Sequence, residues 1–165
     1  MNPQLTTLAA TTEWIIRMTS PTENSETIHD NPTGWVRSHI AEYVETEGQK
    51  GHRWRGVDTL LLITKGRKTA KLRRTALIYG IDGSKYVVVG SRGGHRNHPA
   101  WYLNLVANPQ VRIQVGSDHF DGVARVAADG ERSMLWEKMS AIWPQYDDYQ
   151  KKTDREIPVV VIEPS

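Results

Sequence analysis

From Pro32 onward the apolar positions of the chain fall into short periodic blocks, each bounded by a turn residue. In NPTGWVRSHIAEYVETEG, Val36, Ile40 and Tyr43 or Val44 recur at helical spacing. Pro32 stands where a first-turn proline belongs and Gly48 where a helix stops, which predicts a helix from about Pro32 to Glu47. TLLLI (Thr59–Ile63) is a compact apolar run closed by a glycine-containing turn and reads as a buried strand. RTALIYGI (Arg74–Ile81) and KYVVVGS (Lys85–Ser91) read as two more strands, joined through the hairpin dipeptide Asp82-Gly83. Arg92-Gly93-Gly94 breaks the third, and Pro99 opens a short helix, PAWYLNLVAN. VRIQV (Val111–Val115) alternates as a half-buried strand does, and GVARVAA (Gly122–Ala128) is its natural partner. In ERSMLWEKMSAIW, Leu135, Met139, Ile142 and Trp143 form the stripe of an amphipathic helix, and PVVVI (Pro158–Ile162) is a last strand.

This order is helix, three hairpin-linked strands, short helix, two strands, helix, strand. Tight turns favour antiparallel pairing, and the β-α-β alternation of a doubly wound sheet is absent. The pattern therefore predicts an α+β fold, a small antiparallel barrel with helices packed outside, as one domain over residues 31–165. Residues 1–30 are rich in Thr, Ser and Asn, with only Thr12–Met18 helical in pattern. They predict a mobile or loosely docked arm.

Charge adds a question to this picture. The formal net charge is only +2, yet KGRKTAKLRR packs Lys65, Arg67, Lys68, Lys71, Arg73 and Arg74 into one inter-strand turn without an acid. A near-neutral chain argues against a general nucleic-acid binder. The chain has no cysteine, which excludes disulfides, thiolate-held clusters and a cysteine nucleophile. Its apolar runs are far shorter than the roughly 20 residues of a membrane span, and its start lacks a signal-peptide pattern, so a soluble cytoplasmic protein is expected.

As chemistry, the basic turn suits an anion. Gly66 lets the backbone approach a ligand closely, Lys68 supplies a point charge, and Arg67, Arg73 and Arg74 can grip phosphate or carboxylate. Thr69 and Thr75 add hydroxyl donors. A second basic, glycine-rich element, SRGGHRNHP (Ser91–Pro99), follows two strands later, and in an antiparallel barrel both turns can lie at one end. Together with Trp101 and Tyr102 they suit an elongated, multiply charged ligand. By residues alone, a solvated basic surface stays equally open. His95 and His98 stand at i, i+3 with no third ligand nearby, so no metal is assigned.

GRKT at Gly66–Thr69, Arg73, the Ser91-Arg92-Gly93-Gly94 turn, PAWYLNLVANP and the ending TDREIPVVVIEP resemble the deazaflavin-dependent nitroreductase family, actinobacterial oxidoreductases on a split β-barrel. The likeness runs from about Asp58 to the C-terminus. It implies coenzyme F420, an 8-hydroxy-5-deazaflavin with a phosphate and an oligoglutamate tail, and hydride transfer to an electron-poor acceptor. It implies that Arg67, Lys68, Thr69, Arg73 and Arg74 hold the tail and phosphate, with Thr75, Ala76, Leu77 and Ile78 beside the cofactor as strand. Val89, Gly90, Ser91, Arg92, Gly93 and Gly94, with Ala100, Trp101, Tyr102, Leu103 and Asn104, would complete the pocket, and Tyr146 would close it. Ser91 and Tyr146, with Tyr149 further out, are the candidate proton donors; aromatic packing at a helix end is the competing reading of both tyrosines. Two departures from the family pattern stand out. Arg74-Thr75-Ala76 follows Arg73 where members often carry Asn-Pro, and Trp143 replaces the first of a row of tyrosines. The tryptophan argues against bulky nitroimidazoles, and the expected acceptor is a quinone, an unsaturated lactone or a nitro compound.

Two readings compete with an F420-dependent reductase. One is an FMN enzyme on the same barrel, for which six cations are more than a single phosphate needs. The other is a non-enzymatic module for nucleic acid or an anionic membrane surface, which the low net charge disfavours. The residues leave open monomer or homodimer, and whether the N-terminal arm folds over the site or rests on a membrane carrying the quinone.

Overall fold

The computed structural model describes residues 26–165. The helical pattern at Thr12–Met18 and most of the arm lie outside the described residues. The elements are β1 (Ile28–Asp30), α1 (Gly34–Glu45), β2 (Arg53–Trp54), β3 (Val57–Lys65), β4 (Leu72–Ile78), β5 (Gly80–Asp82) and β6 (Lys85–Val89). A 3-10 turn (Arg92–Gly94), α2 (Ala100–Ala107), β7 (Gln110–Val115), β8 (Asp118–Val126), α3 (Asp129–Ile142), α4 (Gln145–Lys151) and β9 (Val159–Pro164) follow.

These strands form one nine-stranded sheet in the order β1-β4-β3-β7-β8-β9-β6-β5, with β2 paired to β3. All pairings are antiparallel except β1 on β4. The predicted second strand, Arg74–Ile81, is broken at Tyr79: its end, Gly80–Ile81, pairs with the third strand as expected, but its first part does not. β3 and β4 form a hairpin, but the chain then passes through Tyr79 to β5 and β6, at the other end of the sheet path. That covalent step brings the two ends of the sheet together without hydrogen bonds between β4 and β6, and so produces a barrel split along one seam. The predicted Asp82-Gly83 turn is present, with Asp82 opposite Lys85 and Gly83 at φ +62.

Period-two alternation sends the apolar side chains of β3 to two places. Leu60 and Leu62 fill the barrel with Val88, Ile113, Val160 and Ile162. Leu61 points outward to Val36, Ile40 and Tyr43 of α1, where Ala76 of β4 also packs. Leu135 and Met139 of α3 cover Val87, Val89, Val159 and Val161 on the opposite flank. The two helices thus bracket the seam, and the groove between them stays open.

Four features were not predicted. β1 takes up the end of the predicted arm, where Ile28, His29 and Asp30 lie beside Leu72, Arg73 and Arg74. β2 is too short for periodicity to register. The segment after Trp143 forms its own helix, α4. β8 begins at Asp118 rather than Gly122, because Asp118–Asp121 lengthen the ladder with β7.

Candidate active site

A cleft of about 1540 Å3 runs along the seam. It exceeds the roughly 300–1,000 Å3 of a drug-sized site, which suits a long cofactor together with a second molecule. One wall is β4, whose residues Arg73 to Ile78 all line the cleft. The opposite wall comes from Val89, the loop after β6, the start of α2, and α4.

At one end lies the basic turn between β3 and β4. The Gly66 N–H donates to the Lys71 carbonyl at 2.7 Å, and the Gly66 carbonyl accepts from the Ala70 N–H at 2.8 Å. A Cβ at Gly66 would stand 2.9 Å from Thr69 Oγ1 and 3.1 Å from the Lys71 carbonyl, so only glycine closes this turn without a shift. The turn is anchored from α2. Asn104 is 5% exposed; its Oδ1 accepts from the Arg67 N–H at 3.1 Å and its Nδ2 donates to Thr64 Oγ1 at 3.3 Å. This buried amide fixes the loop that carries Arg67, Lys68 and Thr69.

Arg67, Lys68, Arg73 and Arg74 of the six cations line the cleft, whereas Lys65 and Lys71 do not. Among the described residues only Arg74 of those four is paired with a carboxylate. Its Nε donates to Asp30 Oδ1 at 2.6 Å and its Nη2 to Asp30 Oδ2 at 3.2 Å. The fork that was read as an anion grip is therefore committed to Asp30 of β1, and Arg74 fastens the end of the arm to the cleft wall. Asn31 extends the same fastening, donating to Thr75 Oγ1 at 3.3 Å.

The second basic loop reaches the same cleft, with Ser91, Arg92, Gly93 and Arg96 in its lining. Arg155 holds it from behind. Its guanidinium donates to the carbonyls of Ser91 (2.8 Å), His95 (2.8 Å) and Gly90 (3.2 Å), and to His98 Nδ1 at 3.1 Å. Burial, and then the Arg155 charge, lower the His98 pKa, which agrees with a neutral ring accepting at Nδ1.

The residues expected in the pocket mostly gather there. Thr69, Thr75, Ala76, Leu77, Ile78, Val89, Ala100, Trp101, Leu103, Asn104, Tyr146 and Tyr149 all line the cleft. Gly90, Gly94 and Tyr102 lie behind its wall. Gly90 donates to the Pro158 carbonyl at 2.9 Å, Gly94 backs onto α4, where a Cβ would meet the Tyr149 carbonyl at 2.6 Å, and Tyr102 packs on His98 with centroids 4.6 Å apart.

The three proton-donor candidates differ. Tyr146 is 5% exposed, and burial pushes its phenol well above the usual range, so the hydroxyl stays protonated. Tyr149 donates to Gln145 Oε1 at 2.8 Å, which occupies its proton within α4. Ser91 is buried at the start of the 3-10 turn.

The far end of the cleft is aromatic, and only Trp143 of its members was singled out from sequence. Trp35 of α1 stacks on Trp54 of β2 with centroids 5.7 Å apart and planes 12° apart. Trp54 meets Trp143 at 5.7 Å, and the His39 ring stands edge-on to Trp54 at 6.4 Å. Arg55 lies 4.7 Å over the Trp54 ring.

Comparison with known proteins bears on this geometry. A family model described as F420H(2)-dependent quinone reductase matches residues 35–164. An F420H(2)-dependent quinone reductase of Mycobacterium tuberculosis is 42% identical over 131 residues, covering 77% of this chain and 88% of its own. A solved F420-H2 dependent reductase (FDR-A) superposes with TM-score 0.60 at 40% identity, over 64% of this chain and 93% of its own. A solved domain-swapped dimer superposes with TM-score 0.63 at 36% identity, over 81% of this chain and all (100%) of its own. The heme storage protein HutZ of Vibrio cholerae, at 18% identity and TM-score 0.51, shares the fold.

Proposed function

The chain belongs to the F420H(2)-dependent quinone reductase family, and from that premise we propose that its acceptor is a quinone, reduced by hydride from F420H2 that the residues of the cleft would hold. The carrying observation is the cationic end of the cleft. Arg67, Lys68 and Arg73 face it without a carboxylate partner among the described residues, beside the exposed hydroxyl of Thr69. This donor set fits a phosphate followed by several carboxylates and exceeds what the single phosphate of FMN asks for.

When bound in reduced form, the deazaflavin supplies a hydride. Arg67, Lys68, Arg73 and Thr69 hold the anionic tail, and Asn104 and Arg155 keep the two loops in place for it. The residues from Thr75 to Ile78, which line the cleft, would orient the cofactor against its acceptor, and a fixed encounter geometry removes much of the entropic barrier. Hydride gives a quinone two electrons and one hydrogen, and the resulting hydroquinone anion needs one proton. Tyr146, which lines the cleft and whose phenol burial keeps protonated, is the candidate donor of that proton. Ser91 lines the same cleft, where its hydroxyl can hold an oxygen.

Anaerobic mixing of the F420H2-loaded protein with a 1,4-naphthoquinone, an unsaturated lactone and a nitroaromatic tests the reading. Fast oxidation of F420H2 with the quinone and slow oxidation with the other two is expected. No quinone-dependent oxidation above the uncatalysed rate removes it.

A further inference from the structure

We propose that the three indoles at the far end of the cleft, Trp35, Trp54 and Trp143, form the docking platform for a planar, electron-poor acceptor ring. The proposal deepens the quinone reading and rests on it.

The platform is assembled rather than inherited from one segment. Trp35 comes from the first turn of α1, Trp54 from β2 and Trp143 from the junction of α3 and α4. Their stacking brings these elements to one end of the groove. In this cluster Trp35 remains 63% exposed although it stacks on the Trp54 ring, so one indole face stays open to the cleft. A smaller hollow of about 380 Å3 adjoins it and shares Trp35, His39, Trp54 and Arg55 with the cleft, so the open indole surface is continuous with the site.

The backbone beside Trp54 is held in an uncommon shape. Arg55 and Gly56 join β2 to β3 as a two-residue hairpin with φ of +48 and +82. A turn with both central φ values positive favours Asn or Gly at the first place. Arginine there accepts strain, and its guanidinium lies over the Trp54 ring at 4.7 Å. The hairpin thereby fixes both the ring and a donor that can reach a carbonyl oxygen.

Position selects the ligand. At about 3.3 Å per strand residue, Ile78 lies roughly 17 Å along β4 from Arg73, and Trp143, which meets Trp54, packs on the same cluster as Ile78. An anionic tail held at the cationic end leaves the aromatic end for the reaction partner. Indole faces carry negative electrostatic potential, so a ring depleted of electrons by two carbonyl groups stacks on them favourably.

The test is binding of 2-methyl-1,4-naphthoquinone to the full chain, followed by calorimetry, in wild type, Trp35→Ala and Trp35→Phe. Trp35 is exposed enough for both variants to fold, which thermal melts check. The proposal expects saturable binding by wild type, a dissociation constant about tenfold weaker in Trp35→Ala, substantial recovery in Trp35→Phe, and unchanged F420 affinity in both. Equal affinity in wild type and Trp35→Ala, or no binding by wild type, overturns it. Binding that depends on Trp35 without F420H2 oxidation keeps the platform and removes the reductase reading for this acceptor. Turnover with an unchanged quinone KM in Trp35→Ala removes the platform and keeps that reading.

Discussion

The two ends of the cleft are built on opposite plans. The cationic end is one contiguous turn, exposed to water, with its charges on long side chains and its shape set by Gly66 and Asn104. The aromatic end joins three segments, lies against helix and strand, and depends on ring contact. Attraction at the first is electrostatic, so salt weakens it. Attraction at the second is largely apolar and quadrupolar, so salt leaves it nearly unchanged. A site with both can hold a charged carrier at one end and exchange a neutral partner at the other.

The sharpest way to break the comparison is to remove charge at one end. The double variant Lys68→Ala, Arg73→Ala is expected to lose about 2–4 kcal/mol of F420 affinity, if both contacts are charge-assisted, while naphthoquinone affinity is retained. An unchanged F420 dissociation constant would detach both residues from the tail. Next in size, Tyr146→Phe should lower kcat on the order of 100-fold and leave the F420 dissociation constant within about threefold. Equal loss in both would mean that the ring packs and the hydroxyl does nothing. Asn104→Ala removes the buried link between α2 and the basic turn. It should cost about 1–3 kcal/mol of stability in a denaturant titration and weaken F420 binding, with no effect at the aromatic end.

The smallest effect concerns pH. Burial lowers the His39 pKa, against a raising influence from Glu42 and the Gly51 carbonyl, and burial likewise lowers that of His98 beside Arg155. The unfolded chain then binds protons that the folded chain refuses. Stability is therefore full above the unfolded value of 6.5 and falls as pH drops through the lower folded values. Thermal melts between about pH 7 and pH 5 should show the decline, and His39→Gln should flatten it. A flat wild-type profile would contradict the assignment of neutral, half-buried rings.

The difference between the ends also explains what could be read from the chain alone. The basic turn is local: ten consecutive residues carry it, and strand periodicity on either side places it between β3 and β4. The helix stripe of Val36, Ile40 and Tyr43 and the runs at Thr59–Ile63 and Pro158–Ile162 were legible for the same reason. Arg74 misled, because its partner Asp30 is 44 residues away and no local pattern announces the pair. Arg155 was quoted within a motif, yet its hold on the Ser91–His98 loop needs the fold to bring the chain's end beside it. Trp35 and Trp54 lie 19 residues apart and nothing local links them until α1 and β2 meet. A hint existed for the latter, since Gly56 just before an apolar run marks a turn. The Asp82-Gly83 hairpin was legible, but the break at Tyr79 that parts β4 from β5 was not, because sheet order is decided by how the barrel closes, not by the shortest connection.

The most direct test of the central claim, that this cleft is shaped for a multiply charged deazaflavin, is titration of the full chain with oxidised F420 and, in parallel, with FMN, followed by tryptophan fluorescence. The account predicts a dissociation constant on the order of micromolar or tighter for F420, weakened by salt, and little response to FMN. Preference for FMN, or an F420 affinity indifferent to salt, would contradict it.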